Sequence, residues 1–287
     1  TRQFGKTMAA EEAKNFLNQN YAISYGNKHK FETKKKKSFT YGYNAVLNYR
    51  NSHRYYENIQ YNEYRKVFND DGSPVNELDK FRASKGTLSE NNIIWSALIG
   101  QAIQIKRSKI SLNLFHTQNG TSSASRLTEG NFEQNPSTLE KQNLQYSQRS
   151  ISNINLAGRH FLDTLNKWKM DWKVSPTYSS IKDPDTRSTA LEVLDEPDAN
   201  GNPVYAYSPA VGSQIRRTWR NLSEYNVSAR MDFRYNFVQW DSLKSELSFG
   251  ALNTYKSRDF DVLDYFFELE GNSTFSGDPN WYFQDEN

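Results

Sequence analysis

The chain has 287 residues, only 36% of them hydrophobic, yet 14% are aromatic: 18 Tyr, 17 Phe and 6 Trp. Disordered chains are poor in aromatics, so a polar average combined with this many rings points to β-structure with one apolar face. Lys plus Arg (36) exceeds Asp plus Glu (33) by three without clustering, which argues against a nucleic-acid partner, and the lack of cysteine removes disulfides and thiolate metal sites.

No segment approaches the roughly 18 consecutive apolar residues of a membrane-crossing helix, a test to which membrane β-strands are blind. Thr1 to Lys6 carry neither a signal core nor a cleavage site, so the expectation is a removed signal or a start partway through a longer protein. Met8 to Asn18 predicts a short helix from its Ala and Glu content.

From there the sequence alternates with period two. In 37–57, Phe39, Tyr41, Tyr43, Ala45, Leu47 and Tyr49 share a face, with Val46 the exception opposite. In 92–106 the odd positions are apolar, although Ile94 and Leu98 blur the contrast. The clearest run sets Trp168, Met170, Trp172, Val174, Pro176 and Tyr178 against Lys167, Lys169, Asp171, Lys173, Ser175 and Thr177. Tyr225 to Phe237 repeats it against Arg230, Asp232 and Arg234, and Leu243, Leu247, Phe249, Ala251 and Tyr255 form another such face. Eight antiparallel strands follow: 21–33, 37–57, 85–106, 109–120, 140–162, 166–180, 218–239 and 242–268.

Short polar connections fall near Lys34 to Lys37, Arg107 to Ser108, Asp163 to Asn166 and Asp241 to Ser242. Long polar stretches, expected as loops, fill 52–90, 118–140, 180–218 and 269 onward. Short turns alternating with long loops, on strands longer than the about 9 to 11 residues that cross hydrocarbon, predict an all-β transmembrane antiparallel barrel wall with periplasmic turns and extracellular loops. A soluble β-sandwich also alternates, but its strands are shorter and need no aromatic girdle.

The motif search points away from an enzyme. His29, His53, His116 and His160 have no metal-ligand spacing, and no nucleophile elbow, zinc-protease, phosphate-loop or dinucleotide motif occurs, so no catalytic residue, metal or cofactor is expected. Glu196 to Gly201 starts like a calcium loop, but Tyr207 stands where the bidentate Glu belongs, so a hairpin turn is expected there and at Asp70 to Pro74. Asp183-Pro184-Asp185 is read as a turn beside a strand end. Lys169, Asp171 and Lys173 adjoin Arg230, Asp232 and Arg234 in strand order, which predicts lumen-facing ladders of opposite charge that brace a wet interior; holding a plug or guiding substrate is the sharper alternative.

Five strings then carry a resemblance: 143–153 (NLQYSQRSISN), 158–160 (GRH), 172–176 (WKVSP), 183–188 (DPDTRS) and 217–224 (RTWRNLSE), with 255–260 (YKSRDF) after them. Together and in order they resemble the middle part of the barrel of TonB-dependent outer-membrane receptors of the Bacteroidetes type. The resemblance implies active import of a scarce or large nutrient through a barrel of about 22 strands, all of 1–287 being part of that one domain. The implied partners are the TonB complex, reached through an N-terminal region absent from this chain, the receptor's own plug domain, outer-membrane lipid, and a surface lipoprotein whose presence the sequence leaves open. TonB box, plug and an aromatic-ended terminal strand are not found here. Trp219, Trp281 and Tyr282 are the expected substrate contacts, as aromatics that can stack on ligands. The rival readings are an outer-membrane barrel of a secretion or structural type without TonB-driven import, and a soluble glycan-binding β-protein.

Overall fold

A computed structural model describes residues 5–32, 38–69, 71–132, 136–207, 214–240, 242–268, 274–275 and 277–283. Eight long strands run antiparallel in one sheet: β1 (Gln19–Glu32), β2 (Ser38–Phe68), β3 (Pro74–Ile105), β4 (Ser108–Asn131), β5 (Ser137–Phe161), β6 (Trp168–Val193), β8 (Ile215–Gln239) and β9 (Leu243–Phe267). Two-residue strands β7 (Tyr205–Ala206) and β10 (Thr274–Phe275) cap the end of β6, and Pro279–Phe283 forms a short 3-10 turn. The sheet is open, with β1 and β9 at its long edges.

The alternation sets the register. Across the sheet Phe31 pairs with Phe39, Phe39 with Ile105, Ile105 with Ser108, Ser108 with His160, His160 with Met170, Met170 with Phe233 and Phe233 with Phe249, so one face keeps its apolar side chains in line. Because strand side chains change face at every residue, a slip of one position anywhere would invert this row. Lys106 and Asn166 take positive φ (50° and 57°) in the tight connections at this end. The expected turn at Lys34 to Lys37 lies outside the described residues, as do Asp70 and Asp241.

Three sequence expectations fail. The stretches 52–90, 118–140 and 180–218 are not long loops: β2 and β3 remain paired out to Phe68 and Pro74, β4 and β5 to Asn131 and Ser137, and β5 and β6 to Thr138 and Val193. The apolar residues of these outer hairpins, such as Tyr55, Tyr56, Tyr61 and Tyr64, do not keep period two, so hydrophobic alternation falls silent while the backbone ladder continues across register breaks. Among the described residues, turns close at Asn69 to Ser73 and at Asp198 to Asn202, where Asp198 accepts from the Asn200 and Asn202 amides and Gly201 takes φ 81°. Those amides hold the Asp198 carboxyl below the usual carboxylate range.

Second, 8–18 is not helical. The amides of Met8, Ala9 and Ala10 donate to Asn280 and Gln142 side chains instead of to helical carbonyls, and Met8 is fully buried. Tertiary contacts override a weak propensity. Third, Asp183-Pro184-Asp185 is no terminal turn but a bulge in the middle of β6, with a register break between Asp183 and Thr186 and φ 57° at Asp185. The extra residue sends Asp183 and Asp185 to opposite faces.

Candidate functional site

On the polar face near the short turns, register alone places Lys169 opposite Arg234, Asp171 opposite Asp232 and Lys173 opposite Arg230. All six expected ladder residues therefore stand on one face. Two carboxylates directly across from each other repel unless cations intervene. Here Asp171 receives Arg159 at 2.7 Å, Arg234 at 2.8 Å and Lys169 at 3.3 Å, while Asp232 is held by Arg230 of its own strand at 2.6 Å. With Lys109 and Lys173 this makes six cations around two carboxylates, all but Lys169 bordering a shallow groove of about 400 Å³. Further along the same face Glu224 accepts from Arg258 (2.7 Å) and pairs with Lys256 (3.1 Å). Farthest out, Asp264 pairs with Arg216 (2.8 Å) and Glu129 with Lys141 (2.6 Å). The pairing runs the length of the strands.

The opposite face carries aromatics in two bands. Near the turns Phe31 stacks on Phe39 (4.9 Å between centroids), Trp168 on Tyr235 (4.5 Å) and Phe233 on Phe249 (5.4 Å). The second band holds Tyr21 on Tyr49 (6.3 Å), Trp95 on His116 (4.8 Å), and the paired Tyr178 and Tyr225. Phe39 to Tyr49, Trp168 to Tyr178 and Tyr235 to Tyr225 are each ten residues apart. Ten residues of a strand tilted by about 40° rise roughly 25 Å. The paired row of Tyr49 and Trp95 continues as Gln118, Ser150, Ser180 and Ser223, so on β6 and β8 the same face turns polar two residues past Tyr178 and Tyr225.

Still farther out, that face builds the one hydrophobic cluster of buried residues among those described: Met8, Leu191 and Ile215, with Tyr205, Tyr207 and Phe267 packed against it. Beside it Arg217, 1% exposed, donates to Asp185 through Nε and Nη2 and to the Gly5 carbonyl through Nη1 (2.7 Å). Arg187 pairs with the same Asp185 (2.8 Å) and donates to the Thr7 carbonyl (2.6 Å). Burial alone would push the Asp185 carboxyl up, but the guanidinium hydrogen bonds of Arg217 and Arg187 outweigh it and hold the group below its usual range. The bulge that re-aims Asp185 is what brings it onto this face.

Of the expected contact residues, Trp219 lies in β8 edge-on to Tyr265 (5.7 Å), with the Arg217 guanidinium 5.7 Å from its ring centre. Trp281 is 39% exposed in the 3-10 turn next to Asn280. The side chain of Tyr282 lies outside the described residues. Asn280, beside Trp281, accepts from the amide of Met8, a residue that sequence reasoning missed because it was assigned to a helix.

No family model, no curated protein and no solved structure matches the chain.

Proposed function

We propose that the chain is part of the wall of an outer-membrane barrel of the TonB-dependent receptor type, of about 22 strands, importing a scarce or large nutrient. The observation that carries this reading is the ten-residue separation of the two aromatic bands on a face whose reverse side carries ion pairs near the turns and again farther out. That separation matches the roughly 25 Å apolar band of an outer-membrane barrel. The unpaired edges of β1 and β9 would be met by further strands, since a long exposed edge is a template for aggregation. The polar face would line the lumen, where a local excess of cations favours anionic groups on a solute. The plug, the TonB complex, outer-membrane lipid and a surface lipoprotein are the partners this reading calls for. A secretion or structural barrel would share the wall but need no energy coupling.

The test uses the absence of cysteine from these 287 residues, with reaction of the unsubstituted protein as the blank. In outer membranes, Val174→Cys and Leu247→Cys should react only with a bilayer-partitioning maleimide, and Lys173→Cys and Arg230→Cys only with a charged, water-soluble one. The reverse pattern, or equal reaction of all four, refutes a lipid-facing wall. Solute uptake that survives a protonophore refutes TonB coupling while leaving the barrel intact.

A further inference from the structure

Gly5 to Ala10 is irregular chain, yet it is held by its backbone. Arg217 donates to the Gly5 carbonyl and Arg187 to the Thr7 carbonyl. Asn280 accepts from the Met8 and Ala9 amides (2.6 and 3.0 Å) and Gln142 from the Ala10 amide (2.8 Å). Five backbone hydrogen bonds thus fix six residues, each from a side chain of β5, β6, β8 or the 3-10 turn. One side chain is swallowed: Met8, 0% exposed, among Leu191, Ile215, Tyr205, Tyr207 and Phe267. Around Gly5 there is room, since a Cβ there would meet its nearest neighbour, Arg187 Nη2, at 3.5 Å.

Backbone donors and acceptors read any extended segment, and a deep apolar pocket selects one residue of it. The groups that read the carbonyls are charged guanidiniums anchored independently of the segment, by hydrogen bonds to Asp185. The side chains around Met8 are two aliphatic and three aromatic, which suits an unbranched thioether or a leucine-sized chain.

We propose that the outer ends of β5, β6 and β8 form a binding groove for extended peptides carrying methionine or a similarly long apolar residue, occupied in this structure by the chain's own Gly5–Ala10. The groove lies on the face opposite the charge ladder, so it does not depend on the import reading. Occupation in cis acts as competition, because a tethered segment has an effective concentration of about millimolar. A peptide in trans therefore binds when the tethered copy is weakened.

The experiment uses the full chain in detergent and a fluorescein-labelled synthetic peptide copying 3–12 (QFGKTMAAEE), read by fluorescence anisotropy. Met8→Asp expels the tethered copy, and should bind the peptide at least about tenfold more tightly than the unsubstituted chain. Met8→Ala weakens the tethered copy without adding a charge or touching a groove residue, and should raise peptide binding in the same direction, though less, so a folding defect in the first variant cannot decide the outcome. The same peptide with aspartate at the methionine position should bind about tenfold more weakly, and a scrambled peptide likewise. If neither variant takes up the peptide, or if the aspartate and methionine peptides bind equally, the groove is not a peptide site.

Discussion

Truncating Met8 to alanine tests the clasp in cis. The side chain is fully buried against Leu191 and Ile215, and its removal leaves a cavity in a cluster of only three buried residues. Methionine-to-alanine changes in cores cost about 2–5 kcal/mol, and a groove at the rim of a sheet can partly collapse, so about 2–3 kcal/mol is expected. In the opened state Met8 meets water, so the whole loss falls on the closing equilibrium of Gly5–Ala10. At about 1.4 kcal/mol per factor of ten, the open fraction rises roughly 30- to 100-fold. Lys6 supplies the readout, because trypsin cleaves after it only when the segment is released. Lys14 is exposed beyond the clasp and serves as the internal reference. With opening fast relative to cleavage, the ratio of cut rates at Lys6 and Lys14 follows the open population. A ratio unchanged in Met8→Ala would refute the clasp and with it the buried placement of Met8.

Arg217→Met and Asp185→Asn should each lower stability by about 3 kcal/mol, because each strands a buried partner, while the double substitution should fall about 2 kcal/mol or more short of their sum; urea unfolding of the four chains measures the coupling, and additivity sinks it. The depressed Asp185 carboxyl contributes stability that is fully present above its unfolded value near 3.9 and is lost as pH falls through its lower folded value, so unfolding midpoints should hold from neutrality to about pH 4 and drop below it, and Asp185→Asn should flatten that drop. Gly158 faces the indole of Trp172, which its added Cβ would strike; Gly158→Leu should cost about 1–3 kcal/mol and change Trp172 emission, whereas unaltered emission and midpoint would refute the packing.

The charge ladder was legible because period-two alternation assigns a face to every residue once one is known. Lys169, Asp171 and Lys173 had to share a face, and so did Arg230, Asp232 and Arg234; adjacency of the strands then set them opposite one another. The outer hairpins were not legible, since Tyr55, Tyr56, Tyr61 and Tyr64 break period two where the register of β2 shifts, and the pairing rests on backbone hydrogen bonds that composition does not reveal. The clasp was hidden for a different reason. Its members come from residues 5–10, 142, 185–191, 215–217 and 280, separations of up to 272 positions, and Asp185 reaches their face only through a one-residue bulge. A sequence read segment by segment weighs Met8 and its Ala and Glu neighbours as helix formers and has no term for a partner that far away.

Polar groups on the aromatic-banded face bear on what that face meets. Against water, a histidine or an indole N–H there needs no internal partner; against hydrocarbon, it must have one, because an unpaired polar group costs several kcal/mol. Between the two bands His116 Nδ1 meets Ser152 Oγ at 2.8 Å, and His160 Nδ1 meets Ser108 Oγ at 3.0 Å. The second nitrogen of His160 accepts from Trp172 Nε1 at 3.0 Å, so three polar side chains in one neighbourhood are closed on one another although the face is open. The Trp172 indole reaches His160 by crossing Gly158, the residue whose missing side chain makes that approach possible. At the edge of the band Ser150 and Ser180 still pair (2.9 Å), and the next paired row on this face holds Gln148 and Lys182. Polar groups that close on one another between the rings are what a face against hydrocarbon requires, so these few contacts of His116, His160 and Trp172 support the lipid-facing reading beside the aromatic bands themselves.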